Sequence, residues 1–150
     1  MSSADVMELI LQATALLFAN GETTERTIAA AKEIGDAFGY RTNSIPRWGE
    51  LAVRLVGRDG AHHQMVEVMP AGIDMNKVLQ CEAAIHALQG HAVTVEASRS
   101  TLARIAALPP VGLGRFVLAA AIGAAALAVA YGAGHLATLG LAALSGGVVR

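Results

Sequence analysis

From Phe116 to Val149 the chain carries no Asp, Glu, Lys or Arg, and Arg150 closes the run. Roughly 18 uncharged apolar residues are already enough to suggest a membrane span. The first 115 residues differ, with mixed charges, alternating patterns and turn signals. The chain therefore reads as a water-soluble α+β domain followed by a C-terminal transmembrane segment. A single straight helix over Phe116–Val149 would be about 50 Å long at about 1.5 Å per residue. The hydrocarbon core is only about 30 Å thick. Gly132-Ala133-Gly134-His135 offers a break, so a helical hairpin of two short spans, residues 116–131 and 136–149, fits the length. Both halves are rich in Gly and Ala, which lets membrane helices approach closely. His135 falls at the break and reads as a loop residue.

The 150 residues leave room for one modest domain beside that segment. Hydrophobic residues make up 54% of the chain, and the excess sits in the C-terminal third. A net charge of −1 with no basic face argues against a nucleic-acid partner. The single cysteine, Cys81, has no internal disulfide partner, which fits a reducing compartment. Leu9–Ala19 is apolar, but Asp5 and Glu8 precede it where a secretory signal carries Lys or Arg.

Apolar residues recur at helical spacing in Val6, Leu9, Ile10, Ala13, Leu16 and Leu17, after a cap at Ser2 or Ser3. Asn20-Gly21 stops this helix and Thr23 or Thr24 caps the next. There Ile28, Ala31, Ile34 and Phe38 share a face, and Gly39 ends it. Thr42–Ile45 reads as a short strand ended by Pro46. Leu51, Val53 and Leu55 alternate with Ala52, Arg54 and Val56, the period of a half-buried strand. Arg58-Asp59-Gly60 is a hairpin turn, and His63–Met69 alternates back along the partner strand. Asp74 caps a third helix with Val78, Leu79, Ile85 and Leu88 on one side, ended at Gln89-Gly90. Thr94 opens a fourth that buries Leu102, Ile105 and Leu108, and Pro109-Pro110 stops it. The predicted order is α-α-β-β(β)-α-α over residues 1–108, a Pro/Gly hinge over 109–115, and the transmembrane segment over 116–150. Arg99, Arg104 and Arg115 precede the first span, which puts the head in the cytoplasm by the positive-inside rule.

Candidate chemistry is sparse. Gly21-Glu22-Thr23-Thr24-Glu25-Arg26 could hold a polar ligand at a helix N-terminus, where free N–H groups and the dipole favour anions. A helix–helix turn with Thr caps explains the same residues. Asp74 has the same two readings. Neighbouring His62 and His63 would point to opposite faces of a strand, and His86 with His91 lacks a completing ligand at zinc-like spacing, so no metal is expected. Ser98 and Ser100 stand in no recognisable nucleophile motif, so neither an enzyme nor a cofactor is expected.

Three stretches carry a family resemblance in their order and spacing. Leu16-Leu17-Phe18-Ala19-Asn20-Gly21-Glu22-Thr23-Thr24-Glu25-Arg26 is similar to the opening of the N-terminal domain of the threonine/serine exporter family. Gly72-Ile73-Asp74-Met75-Asn76-Lys77-Val78 resembles that family's helix start after the sheet, and Val93-Thr94-Val95-Glu96-Ala97 resembles the start of its next helix. The Ala-rich Val117–Tyr131 run, a Gly-containing break and a second apolar run resemble its first two spans. The resemblance implies a cytoplasmic domain attached to a multi-pass inner-membrane exporter of threonine or serine, or of a small dicarboxylate such as succinate. Candidate ligand residues are then Gly21, Glu22, Thr23, Arg26 and Asp74. Family members continue through further spans, so the expected partners are the lipid bilayer, further spans or a second membrane subunit, a homo-oligomeric copy, and a small polar metabolite. The runner-up is a membrane-anchored regulatory or ligand-binding domain without transport of its own.

Overall fold

α1, Ser3–Ala19, is apolar around most of its circumference, and a helix of that kind belongs inside. It buries Val6, Met7, Leu9, Ile10, Leu11, Ala13, Thr14 and Leu17. Its start is fixed by a capping box, in which the Ser2 hydroxyl accepts from Asp5 N and the Asp5 carboxylate accepts from Ser2 N. The computed structural model describes residues 2–70, 72–89, 93–109, 113–132 and 141. The chain divides into two units, Met1–Leu108 and Pro109–Arg150.

In the first unit α1 is followed by α2 (Thr24–Ala37), β1 (Arg41–Arg47), β2 (Gly49–Gly57), β3 (Gly60–Val68), α3 (Met75–Gln89) and α4 (Val95–Ala106). The strands form one antiparallel sheet in the order β1-β2-β3. Ile45 faces Ala52 and Ala52 faces Met65, while Ser44, Val53 and Gln64 share the neighbouring row. Leu51, Val53 and Leu55 point into the core, and Arg54 between them is exposed. That is the alternation expected for a sheet with helices on one face only.

α1 and α2 pack under the sheet, and α3 and α4 close the remaining sides of α1, with α3 also against α2. One hydrophobic cluster runs through all of them, from Val6 through Ile34 and Leu55 to Ile85 and Ile105. Gly35 sets how closely α2 approaches β1, because a Cβ there would lie 1.9 Å from Thr42 Oγ1 and 3.1 Å from the Tyr40 carbonyl oxygen.

Some expected faces shift. Ile28 is 38% exposed and Leu79 is 66% exposed. Their neighbours Thr27 and Val78 take the inward positions, and Cys81 completes the buried stripe of α3. β1 runs on through Pro46 to Arg47, which an edge strand tolerates because its outer N–H needs no ladder partner.

The second unit corrects the expected architecture. It contains α5, Leu113–Ala130, which ends through Tyr131 and Gly132 (φ 88°). A C-terminal transmembrane helical hairpin is not shown: among the described residues no helix is long and apolar enough to cross a membrane. The physical reason is length and charge. The 18 residues of α5 span about 27 Å at about 1.5 Å per residue, under the roughly 30 Å of hydrocarbon, and Arg115 occupies its first turn. The helix expected over 116–131 is present as α5, which ends at Ala130; its membrane-spanning character is what is not shown. Ala133, Gly134 and His135 of the expected break lie outside the described residues. So does the second expected span, 136–149, apart from Leu141.

Candidate functional site

The turn between α1 and α2 meets the loop before α3. Asn20 is the C-cap of α1, and its carbonyl accepts from Asp74 N at 3.1 Å. Gly21 has φ 91°, a left-handed conformation that glycine adopts at little cost. A Cβ there would also stand 3.0 Å from Ile73 Cγ1. The residue is therefore held by conformation and by packing.

Two helices begin beside this junction. The Thr23 hydroxyl accepts from Arg26 N at 3.2 Å and caps α2. Glu22 Oε1 accepts from Thr23 N at 2.7 Å. Asp74 Oδ1 accepts from Asn76 N and from Lys77 N, both at 3.2 Å, at the start of α3. Of the residues singled out in the sequence, Gly21, Glu22, Thr23 and Asp74 are thus brought together, and their polar atoms satisfy helix-end N–H groups.

Arg26 is directed elsewhere. Its guanidinium sits between two carboxylates, one on its own helix and one on α3. Nη1 donates to Glu33 Oε1 at 2.5 Å, Nε donates to Glu82 Oε1 at 2.9 Å, and Nη2 also pairs with Glu82. Its hydrogen bonds to Glu33 and then to Glu82 raise the guanidinium pKa further above its ordinary value. The three side chains are 27%, 28% and 17% exposed, so screening by solvent is partial. Gln89 Nε2 donates to Glu33 Oε2 at 3.3 Å and extends the cluster to the end of α3. This joins α2 to α3 and commits the Arg26 guanidinium to two carboxylates rather than to an anionic ligand.

A second feature escaped the sequence reading. A groove of about 600 Å³ opens between α1, α4 and β3. Leu11, Ala15, Val66 and Ala103 contribute apolar walls, and Glu96 and Ser100 stand along it. Across it Arg99 Nη2 pairs with Glu8 Oε1 at 2.5 Å, and Gln12 Nε2 reaches the Arg99 carbonyl oxygen at 3.5 Å. Its lining comes from three elements far apart in the chain, so no local spacing could have announced it. Only the opposite charges of Glu8 and Arg99, each on an outward helix position, gave a hint.

His62 Nε2 lies 3.2 Å from Asp59 Oδ2 in the β2–β3 turn. Among the described residues no group of three or more His, Cys, Asp or Glu could hold a metal ion. Ser98, which stands in no nucleophile motif, is buried and donates to the Thr94 carbonyl oxygen at 2.9 Å, inside the first turn of α4. Cys81 is buried, with Sγ 3.7 Å from the Ala13 carbonyl oxygen.

A family model described as "putative threonine/serine exporter" matches residues 8–150. No curated protein and no solved structure matches the chain.

Proposed function

The chain belongs to the threonine/serine exporter family, and we propose that it is a component of a membrane exporter for small polar metabolites, threonine and serine first among them. The observation that carries this reading is the extent of the family match, which runs through both units rather than through one motif. It supports a part in a transport machine over an enzyme. α5, as one helix, encloses no path for a solute by itself. The proposal therefore assigns the path to further spans or to a second membrane subunit.

In this reading Gly21, Glu22, Thr23 and Asp74 tie the N-terminal unit together at its helix starts, and Arg26 latches α2 to α3. The unit lies on the cytoplasmic side of the inner membrane, where a lone buried cysteine is at home. Two measurements test the proposal. Cells lacking the chain and loaded with radiolabelled threonine or serine should lose the label more slowly than cells that have it. Purified chain alone in liposomes should leave efflux at the protein-free level. Unchanged efflux from the depleted cells would remove the exporter reading.

A further inference from the structure

Helices cover the face of the sheet toward which Leu51, Val53 and Leu55 point. The residues that alternate with these form an outer face of cross-strand rows. In order along the strands the rows are Arg41–Val56–Ala61, Asn43–Arg54–His63, Ile45–Ala52–Met65 and Arg47–Glu50–Glu67. Charge is uneven over them. Arg41 and Arg54 stand on neighbouring strands one row apart, a diagonal of about 7–8 Å between backbones. Both are exposed. Among the described residues neither forms an ion pair.

The sheet's own acids lie elsewhere. Asp59 bonds His62, which belongs to the inward row of Leu55. Glu50 stands four residues along β2 from Arg54, about 13 Å at about 3.3 Å per residue, and pairs with Arg47. Glu67 shares that far row. The separation exceeds the screening length of about 8 Å at physiological salt. Two adjoining hollows open at the basic end. One, of about 350 Å³, lies among Arg41, Asn43, Arg54 and Val56. The other, of about 420 Å³, continues past Asn43 and Arg54 to Ile45, Ala52 and Met65. Among the described residues no carboxylate lines either. Ala52 is the small residue of its row, between Ile45 at 49% and Met65 at 63% exposure, so the second hollow has an apolar trough for a floor.

We propose that these hollows form a binding site for a phosphate monoester that carries a small apolar group. The phosphate lies between the guanidinium groups of Arg41 and Arg54, where the Asn43 amide can donate a further hydrogen bond. The organic group lies along the trough over Ala52. Guanidinium forks match the geometry of phosphate oxygens. A phosphate monoester carries a charge of about −1.5 to −2 at neutral pH and so offsets both cations, whereas a monocarboxylate offsets one. No charge on His63 is required. The site is independent of any transport path. A soluble ester and a phospholipid headgroup share this chemistry, and the choice of probe separates them.

The test uses the full chain. Calorimetric titration with phenyl phosphate should show binding, tighter than that of inorganic phosphate or of benzoate. Arg41→Gln and Arg54→Gln should each weaken it about tenfold or more, because hydrogen bonds to a charged group are lost, with circular dichroism unchanged. Arg47→Gln, in the far row of the same face, should leave it as it was. Ala52→Leu fills the trough and should weaken phenyl phosphate without affecting inorganic phosphate. Soluble dihexanoyl phosphatidate bound more tightly than phenyl phosphate assigns the headgroup as source, and weaker binding assigns a soluble ester. No binding of phenyl phosphate at millimolar concentration would overturn the proposal. So would binding that survives Arg41→Gln and Arg54→Gln together, or benzoate bound as tightly as phenyl phosphate.

Discussion

Burial pushes the Cys81 thiol up to about 12 from an ordinary 9.0, and the nearby Glu82 charge adds to the effect. The thiolate is the reactive form, so at neutral pH the folded chain should resist iodoacetamide and take up label only as it unfolds. Labelling in native buffer at the rate of the denatured chain would contradict this. The shift also has a sign for stability. As pH rises from about 9 toward about 12, the unfolded thiol ionises while the buried one stays protonated, so stability falls across that window. Arg26 makes the second residue-scale prediction. Arg26→Ala leaves Glu33 and Glu82 without their shared cation, and losing hydrogen bonds to charged groups should cost about 2 kcal/mol. Urea unfolding measures it. Arg26→Lys keeps the charge but not the planar fork, and should recover only part of the loss.

At the scale of elements, Gly35 decides how α2 meets β1. Gly35→Ala would gain at most about 1 kcal/mol of helix propensity, and less so near the helix end. The added methyl would overlap Thr42 Oγ1 and press on the Tyr40 carbonyl. Overpacking of this kind costs about 1–3 kcal/mol, so a net loss is expected, read as a lower urea midpoint. What could be read from sequence also follows element by element. The caps at Ser2, Thr23 and Thr94 all accept the helix N–H groups that their residue types foretold. The β2–β3 hairpin carries the expected turn at Arg58-Asp59, because Asp-Gly chemistry is local. Periodicity did less well where two neighbouring apolar residues compete for one inward position. Leu79 lost that competition to Val78 and Cys81, and only the placement of α1 beneath α3 could have decided it. Arg26 was legible as a charge beside a helix start. Its bond to Glu82, on a helix that follows the whole sheet, was not. The apolar run after Phe116 misled for another reason: hydropathy records composition, whereas a span also needs length, and no described helix is long and apolar enough to cross a membrane.

For the molecule as a whole, Met1–Leu108 forms its own unit, and among the described residues its buried cluster draws on α1 to α4 and the sheet. Residues 1–108 expressed alone should therefore melt in one cooperative transition followed by circular dichroism. A featureless melt would show that the rest of the chain is needed for folding.

The position of α1 has a consequence during synthesis. The helix leaves the ribosome ahead of the other elements of its unit, and every later layer of the unit packs against it. α2 and the hairpins can cover one side as soon as they emerge. The side that receives α3 and α4 must wait for residues 75–106. At roughly 5–20 residues per second, that half of the helix stays bare for several seconds in each nascent chain, a window in which a chaperone or a neighbouring apolar segment competes for it.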